Sequence, residues 1–193
     1  MRKLVLFMHT SLDGFTTDSK GKIDWIQIEE EMFNYAGQRT NEADTALYGR
    51  GTFQIMESYW PTAADKPEAS KHDIEHSRWY NHVDKIVVSK TLKPADHPKT
   101  QIVSENLATE IRKLKQKTGK NIIMFGSPTL AHSLMQENLI DDYWLLMNPI
   151  LLGQGNPLFR GLKKEIKLKL VLSKTFVSGV VCLHYEAKTG NNF

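Results

Sequence analysis

Four short stretches of this chain combine residue types that could do chemistry. In Leu47-Tyr48-Gly49-Arg50-Gly51-Thr52-Phe53, two glycines, a guanidinium and a hydroxyl stand where an apolar run gives way to a helical pattern. Amides exposed at a helix N-terminus hold anions, glycine lets a phosphate approach the backbone, and Arg50 adds a charge-assisted donor. A glycine turn capped by Thr52 explains the same letters without a ligand. Phe125-Gly126-Ser127-Pro128-Thr129-Leu130 repeats the plan. Ser127 suits an N-cap and Pro128 the first helical position, so ordinary capping accounts for both; it does not require Gly126.

The third stretch, Val87-Val88-Ser89-Lys90-Thr91, ends a strand in a hydroxyl, a cation and another hydroxyl. Such a triplet could hold the 2′-phosphate that separates NADPH from NADH, or be no more than a solvated strand end. Two glycine junctions in one parallel sheet suggest the two ends of a dinucleotide, because ligands in such folds sit at the carboxyl ends of strands. Neither junction reads G-x-G-x-x-G and no Walker lysine motif occurs, which weighs against Rossmann and P-loop sites. The fourth stretch, His72-Asp73-Ile74-Glu75-His76, satisfies the H-x-x-E-H pattern of a zinc protease. Its neighbours Ser70, Lys71, Asp73 and Ser77 make the segment polar all round, so the two histidines are expected in solvent and no metal is expected. No Gly-x-Ser-x-Gly elbow is present, and the lone Cys182 lies in the core-like run Val180 to Leu183, so covalent catalysis has no obvious agent.

These stretches need elements to hold them. Leu4 to Met8, Ile86 to Val88 and Ile122 to Phe125 are short continuous apolar runs, as strands buried on both faces are. Helical character lies between such runs, over 29–43, 51–59, 108–117 and 128–137. Their alternation predicts an α/β fold, a mostly parallel central sheet with helices on both faces. Segments 167–176 and 180–187 flank the polar turn Val177-Ser178-Gly179 and predict a C-terminal antiparallel hairpin. Lys163, Lys164, Lys167 and Lys169 alternate with Ile166, Leu168 and Leu170 as the two faces of a half-buried strand would. Residues 61–78 carry charge and two prolines with little periodicity and read as an excursion over the mouth of a site.

The 193 residues fit one domain, 1–193, without linker or repeat. A net charge of +3 from 25 basic and 22 acidic residues is too weak and too mixed to argue for nucleic acid. No apolar run approaches the roughly 20 residues of a membrane span, and the start of the chain does not make a signal peptide, so a cytoplasmic protein is expected.

The Ser11-Leu12-Asp13-Gly14 turn, Gly49-Arg50-Gly51-Thr52, Val88-Ser89-Lys90 and Gly126 to Leu130, in this order, resemble the dihydrofolate reductase superfamily. The spacing is most similar to its branch related to the reductase domain of bifunctional riboflavin-biosynthesis proteins, and Asn148 to Gly155 followed by Pro157-Leu158-Phe159 looks like that branch's proline-apolar-glycine loop. The resemblance implies a dihydrofolate reductase-like fold and NADPH held in an extended pose. Its phosphates would lie near Gly49, Arg50, Gly51 and Thr52, its adenosine end near Ser89 and Lys90, and its central phosphates and nicotinamide end near Gly126, Ser127, Pro128, Thr129 and Leu130. Asp13 would stand beside the nicotinamide and a small heterocyclic substrate, pterin- or pyrimidine-like, to orient it or relay a proton; the alternative is an Asp that shapes the turn before Gly14. Glu30 or Glu31, with Trp25 upstream, are loose counterparts of the acid and tryptophan of folate reductases, and Phe125 stands where the riboflavin reductases usually have a carboxylate. The resemblance implies either an NADPH-dependent reductase or a catalytically weak nucleotide-binding protein of the same fold, and suggests a homodimer through the late strands.

Overall fold

The computed structural model describes residues 1–93 and 100–188. In chain order its elements begin with strands β1 (Leu4–Ser11) and β2 (Phe15–Thr17), helix α1 (Glu30–Asn41), strand β3 (Ala43–Gly49), helices α2 (Arg50–Tyr59) and α3 (Lys71–His82), and strands β4 (Asp84–Val88) and β5 (Thr100–Val103). Helix α4 (Leu107–Gln116), strand β6 (Asn121–Phe125), helix α5 (Pro128–Gln136) and strands β7 (Asp142–Asn148), β8 (Asn156–Pro157), β9 (Leu168–Thr175) and β10 (Val181–Ala187) complete the chain. The main sheet has the order β5-β4-β3-β6-β1-β7-β10-β9, and β2 pairs with β8 beside it. From β5 to β7 every pairing is parallel, so the carboxyl ends of those strands share one edge. β10 runs antiparallel to β7, and β9 antiparallel to β10, which is the hairpin expected from the C-terminal pattern.

The continuous apolar run of β1 follows from burial on both faces. Leu4, Leu6 and Met8 enter one core with Ile111 and Leu114 of α4 and Leu130 and Leu134 of α5. Val5 and Phe7 enter a second with Met32 of α1, Phe53 of α2 and Tyr80 of α3. Helices therefore cover both faces, and alternate side chains of one strand serve two cores. Cys182 is fully buried in the second core, where desolvation pushes its thiol up to about 11 and leaves it inert. Among the described residues no helix is long and apolar enough to cross a membrane.

Three expectations need correction. Helix α1 stops at Asn41, because Ala43 opposite Asn121 already begins the pairing of β3 with β6. Lys163 and Lys164 precede β9; Ile166 and Leu168 are half-buried between exposed Lys167 and Lys169, but the alternation stops there, with Leu170 50% and Val171 48% exposed on an open edge strand. Residues 61–78 are mostly regular: a 3-10 turn over Trp60–Asp65 leads to α3, whose start is fixed by a capping box. The Ser70 hydroxyl accepts from the Asp73 amide (3.1 Å) and the Asp73 carboxylate accepts from the Ser70 amide (3.0 Å). This helix buries Ser77 and Tyr80, and imidazoles rather than aliphatic residues supply part of its inner face, which conceals its periodicity.

Candidate functional site

Strands β3 and β6 are neighbours, so both glycine junctions emerge side by side from the carboxyl edge. The backbone is left-handed at Gly126 (φ 57°) and Ser127 (φ 58°), and a Cβ on Gly126 would stand 3.3 Å from the Thr52 methyl. Glycine is favoured there for both reasons. The Gly49 amide donates to the Ser127 hydroxyl (2.9 Å), and the Ser127 amide donates to the Thr52 hydroxyl (3.1 Å). The two hydroxyls expected to cap helices instead stitch one junction to the other. Gly49 and Ser127 are the N-cap residues of α2 and α5, and neither makes a side-chain cap. Two helix N-termini thus lie together with first-turn amides not taken up by their own caps, the arrangement that receives an anion. Pro128 opens α5, and its missing N–H costs that turn nothing.

The end of β4 adjoins this pair. Arg50 donates from Nη1 to the Thr91 hydroxyl (2.9 Å), which holds the guanidinium at the surface between the two strand ends. The Ser89 hydroxyl accepts from the Thr91 and Leu92 amides (3.2 and 2.9 Å), so it shapes the turn and has only its O–H left to donate. Lys90, next to it, is exposed. Sequence reasoning placed Gly49 to Thr52, Ser89 with Lys90, and Gly126 to Leu130 at separate strand ends; the fold brings all three to adjacent ones.

Asp13 lies one strand further, in the turn after β1. It accepts from the Ser11 hydroxyl (2.6 Å) and from the amides of Leu152 (3.1 Å) and Gly153 (2.7 Å), so the carboxylate latches this turn to the loop after β7. The Ser11 bond first, then those amides, hold its pKa below the usual carboxylate value. At neutral pH Asp13 is an ionised acceptor. Further along that loop Gly155 is obligatory, since a Cβ there would collide with the Thr17 carbonyl. Buried Asn148 at the end of β7 accepts from the Gln27 amide (2.8 Å) and donates to the Thr10 carbonyl (3.2 Å), which pins the segment before α1 to the sheet. Glu31 points elsewhere, to Lys174 of β9 (2.6 Å), and Glu30 is exposed.

On the α1 and α3 side of this edge lies a group of rings that sequence reasoning missed. His72 is not solvated but stacks on Phe33 (3.7 Å between centroids, 9° between planes). His76 packs against Trp60 (4.1 Å), Trp79 (5.2 Å) and Phe125 (5.9 Å), and Phe125 against Phe7 (5.6 Å). The legible signal is spacing: residues 72, 76 and 79 share one helix face. Burial drives the His76 pKa down to about 3, with the nearby His72 adding to the shift, and burial drives His9 at the end of β1 down to about 4. Both imidazoles are therefore neutral at physiological pH. His76 Nε2 and Trp79 Nε1 are buried without a hydrogen-bond partner. Such a group ordinarily costs on the order of 1–3 kcal/mol.

Comparison with known proteins bears on this edge. Residues 2–182 match the RibD C-terminal domain family. The chain is 34% identical over 188 residues to the uncharacterized protein YyaP of Bacillus subtilis (strain 168), covering 96% of this chain and 95% of that protein. It is 30% identical over 187 residues to the uncharacterized protein YwjB of the same organism, covering 95% and 97%. Among solved structures it is similar to a Shewanella sp. PV-4 protein provisionally assigned to riboflavin biosynthesis, with a TM-score of 0.72, 24% identity, and 97% and 99% of the two chains covered. It is also similar to a pyrimidine reductase-like protein from Corynebacterium diphtheriae, with a TM-score of 0.70, 15% identity, and 98% and 93% covered. These two likenesses establish the α/β fold.

Proposed function

The chain belongs to the RibD C-terminal domain family, and from that premise we propose that it is an NADPH-dependent reductase acting on a small heterocycle, pterin- or pyrimidine-like, in the cytoplasm. The observation that carries the reading is the pair of uncapped helix N-termini stitched together by Ser127 and Thr52. The residues fit the cofactor: first-turn amides of α2 and α5 suit its diphosphate, and glycine at 49 and 126 keeps side chains away from it. Arg50, Lys90 and the Ser89 O–H would take the 2′-phosphate, since a phosphate wants both charge and donors. NADPH supplies a hydride when bound; the protein's part is to hold the acceptor against it and exclude water. Asp13, already ionised and gripped by two loops, acts by orienting: it sets the β1–β2 turn against the 149–155 loop and offers a negative acceptor to a ring N–H. The proton that completes the reduction then comes from water.

That same engagement of Asp13 favours a second reading, a nucleotide-binding protein with weak or no turnover, because among the described residues no side chain at this edge is an evident acid. The two readings part on activity. NADPH oxidation is followed at 340 nm with pterins, flavin precursors and small imines as acceptors, for the parent and for Asp13→Asn. The reductase reading expects turnover by the parent and a loss on the order of 10²-fold in the variant, the scale of a misplaced acceptor, with NADPH affinity nearly unchanged. Equal rates would remove Asp13 from the reaction, and NADPH binding without turnover of any acceptor would favour the binding protein. We also propose a homodimer through the open edge of β9, where Leu170, Val171 and Leu172 are 39–50% exposed, a surface that pairing with a second copy would cover.

A further inference from the structure

A cavity of about 520 Å³ opens at the amino ends of β3 and β4, on the opposite edge of the sheet from both glycine junctions, and it has the volume of a small-molecule pocket. Arg2 lines it and is only 7% exposed. Its Nε donates to the Lys120 carbonyl (2.6 Å), and its Nη2 pairs with Asp44 and donates to the Thr45 hydroxyl (2.5 Å). A guanidinium has five N–H groups, and the two on Nη1 have no partner among the described residues. Asp44, by contrast, is saturated, since it also accepts from the Thr45 hydroxyl (2.9 Å) and the Lys120 amide (2.8 Å). The loop after α4 closes over the pair: a Cβ on Gly119 would stand 2.6 Å from the Asp44 carboxylate and 3.2 Å from Arg2 Nε. The guanidinium is therefore held in one place before any ligand arrives, with two donors to spare.

The rest of the wall says which ligand suits it. Among the described lining residues Arg2, Lys85 and Lys117 stand against Asp44 and Asp84, an excess of one positive charge. Exposed Gln101, Lys117 and Thr118 make no side-chain hydrogen bond or ion pair among the described residues, and buried Ile86 and Leu114 supply an apolar floor. We propose that this cavity binds a small hydroxylated monocarboxylate, with its carboxylate on Arg2 Nη1 and its hydroxyls on Gln101 and Thr118. One carboxylate balances the excess charge and takes charge-assisted bonds from the guanidinium. A phosphate group carries about −1.5 to −2 charges at neutral pH and would face Asp44 and Asp84 with a surplus. The site stands at the other edge from the proposed cofactor and does not depend on the reductase reading.

The probes are gluconate and shikimate, two hydroxylated monocarboxylates, with glucose and inorganic phosphate beside them at one ionic strength. Each is titrated into the ¹⁵N-labelled full chain and into Arg2→Lys and Lys117→Gln. At least one of the two carboxylates shifts the Thr45, Gln101, Thr118 and Gly119 amides saturably, phosphate binds more weakly, and glucose leaves them unmoved. Arg2→Lys keeps the charge but loses the spare Nη1 pair, and it weakens binding about tenfold or more, the scale of a hydrogen bond to a charged group. Lys117→Gln alters an exposed side chain and weakens binding about threefold, as an exposed charge does. Saturable shifts by neither carboxylate overturn the site, as do shifts that gather at Lys163 and Lys164 or at Arg50, Gly51 and Thr129. Phosphate or glucose binding as tightly as the carboxylate overturns the ligand class. Parent-like affinity in Arg2→Lys overturns the role of the guanidinium; should that variant not fold, parent-like affinity in Lys117→Gln overturns the charge argument.

Discussion

The two ends of one sheet treat polar groups in opposite ways. At the amino ends of the strands, charges are spent on each other: buried Arg2 pairs with Asp44 and donates to the Lys120 carbonyl (2.6 Å), and Lys115 pairs with Asp141 (2.6 Å) and donates to the Leu139 carbonyl (3.0 Å). Asp142 there takes both Lys3 (3.1 Å) and His184 (2.7 Å). At the carboxyl ends, α2, α4 and α5 begin without side-chain caps, and an imidazole and an indole are buried with unpaired nitrogens. A cavity of about 520 Å³ lies at the paired end, among Arg2, Asp44, Thr45, Asp84 and Lys85. Saturated polar groups hold a fold together, whereas unsaturated ones cost stability.

The comparison breaks most visibly at Lys115. Lys115→Met leaves the Asp141 carboxylate with only the Leu4 amide (2.7 Å) of its two partners, and removing one partner of a mostly buried pair costs about 3–5 kcal/mol. Calorimetry should record a fall in melting temperature of roughly 6–20 °C, while NADPH affinity stays at the parent value. A comparable loss of NADPH affinity would join the two ends into one system.

Acid sharpens the contrast from the other side. His9 and His76 have folded pKa values near 4 and 3, below the ordinary histidine value of 6.5. Between those values the unfolded chain binds protons that the folded chain refuses, so their contribution to stability is complete above about pH 6.5 and is lost as the pH falls toward 4 and 3. The slope is at most about 1.4 kcal/mol per pH unit for each histidine. Denaturant titrations from pH 7 to 4 should show the fall, and His76→Phe should flatten it. An unchanged slope in that variant would mean that His76 is protonated inside the fold.

Much of this architecture is legible in the letters. Continuous apolar runs mark β1, β4 and β6 because both faces of each are covered, and Gly126 marks a left-handed backbone that few other residues tolerate. Capping propensity misled at Ser127 and Thr52, because a hydroxyl at a helix start can bond its own turn or a neighbouring strand's, and only the β3–β6 pairing decides. His72 and His76 misled for a related reason. Histidine counts as polar in a periodicity, yet its ring packs like an aromatic when tryptophan and phenylalanine surround it. Asp13 was recognised as a residue of interest, but its bonds to Leu152 and Gly153 span 139 and 140 positions and no local pattern encodes them.

The central claim is that a dinucleotide binds on the carboxyl edge, across the two stitched helix starts. Amide resonances of ¹⁵N-labelled protein, followed while NADPH and then NADH are added, test it most directly. The account predicts saturable shifts at Arg50, Gly51, Thr52, Thr129 and Leu130, with Ser89 and Lys90 responding to NADPH and much less to NADH. Shifts that spare these amides and gather instead at Arg2, Asp44, Thr45 and Lys85 around the opposite cavity would contradict it.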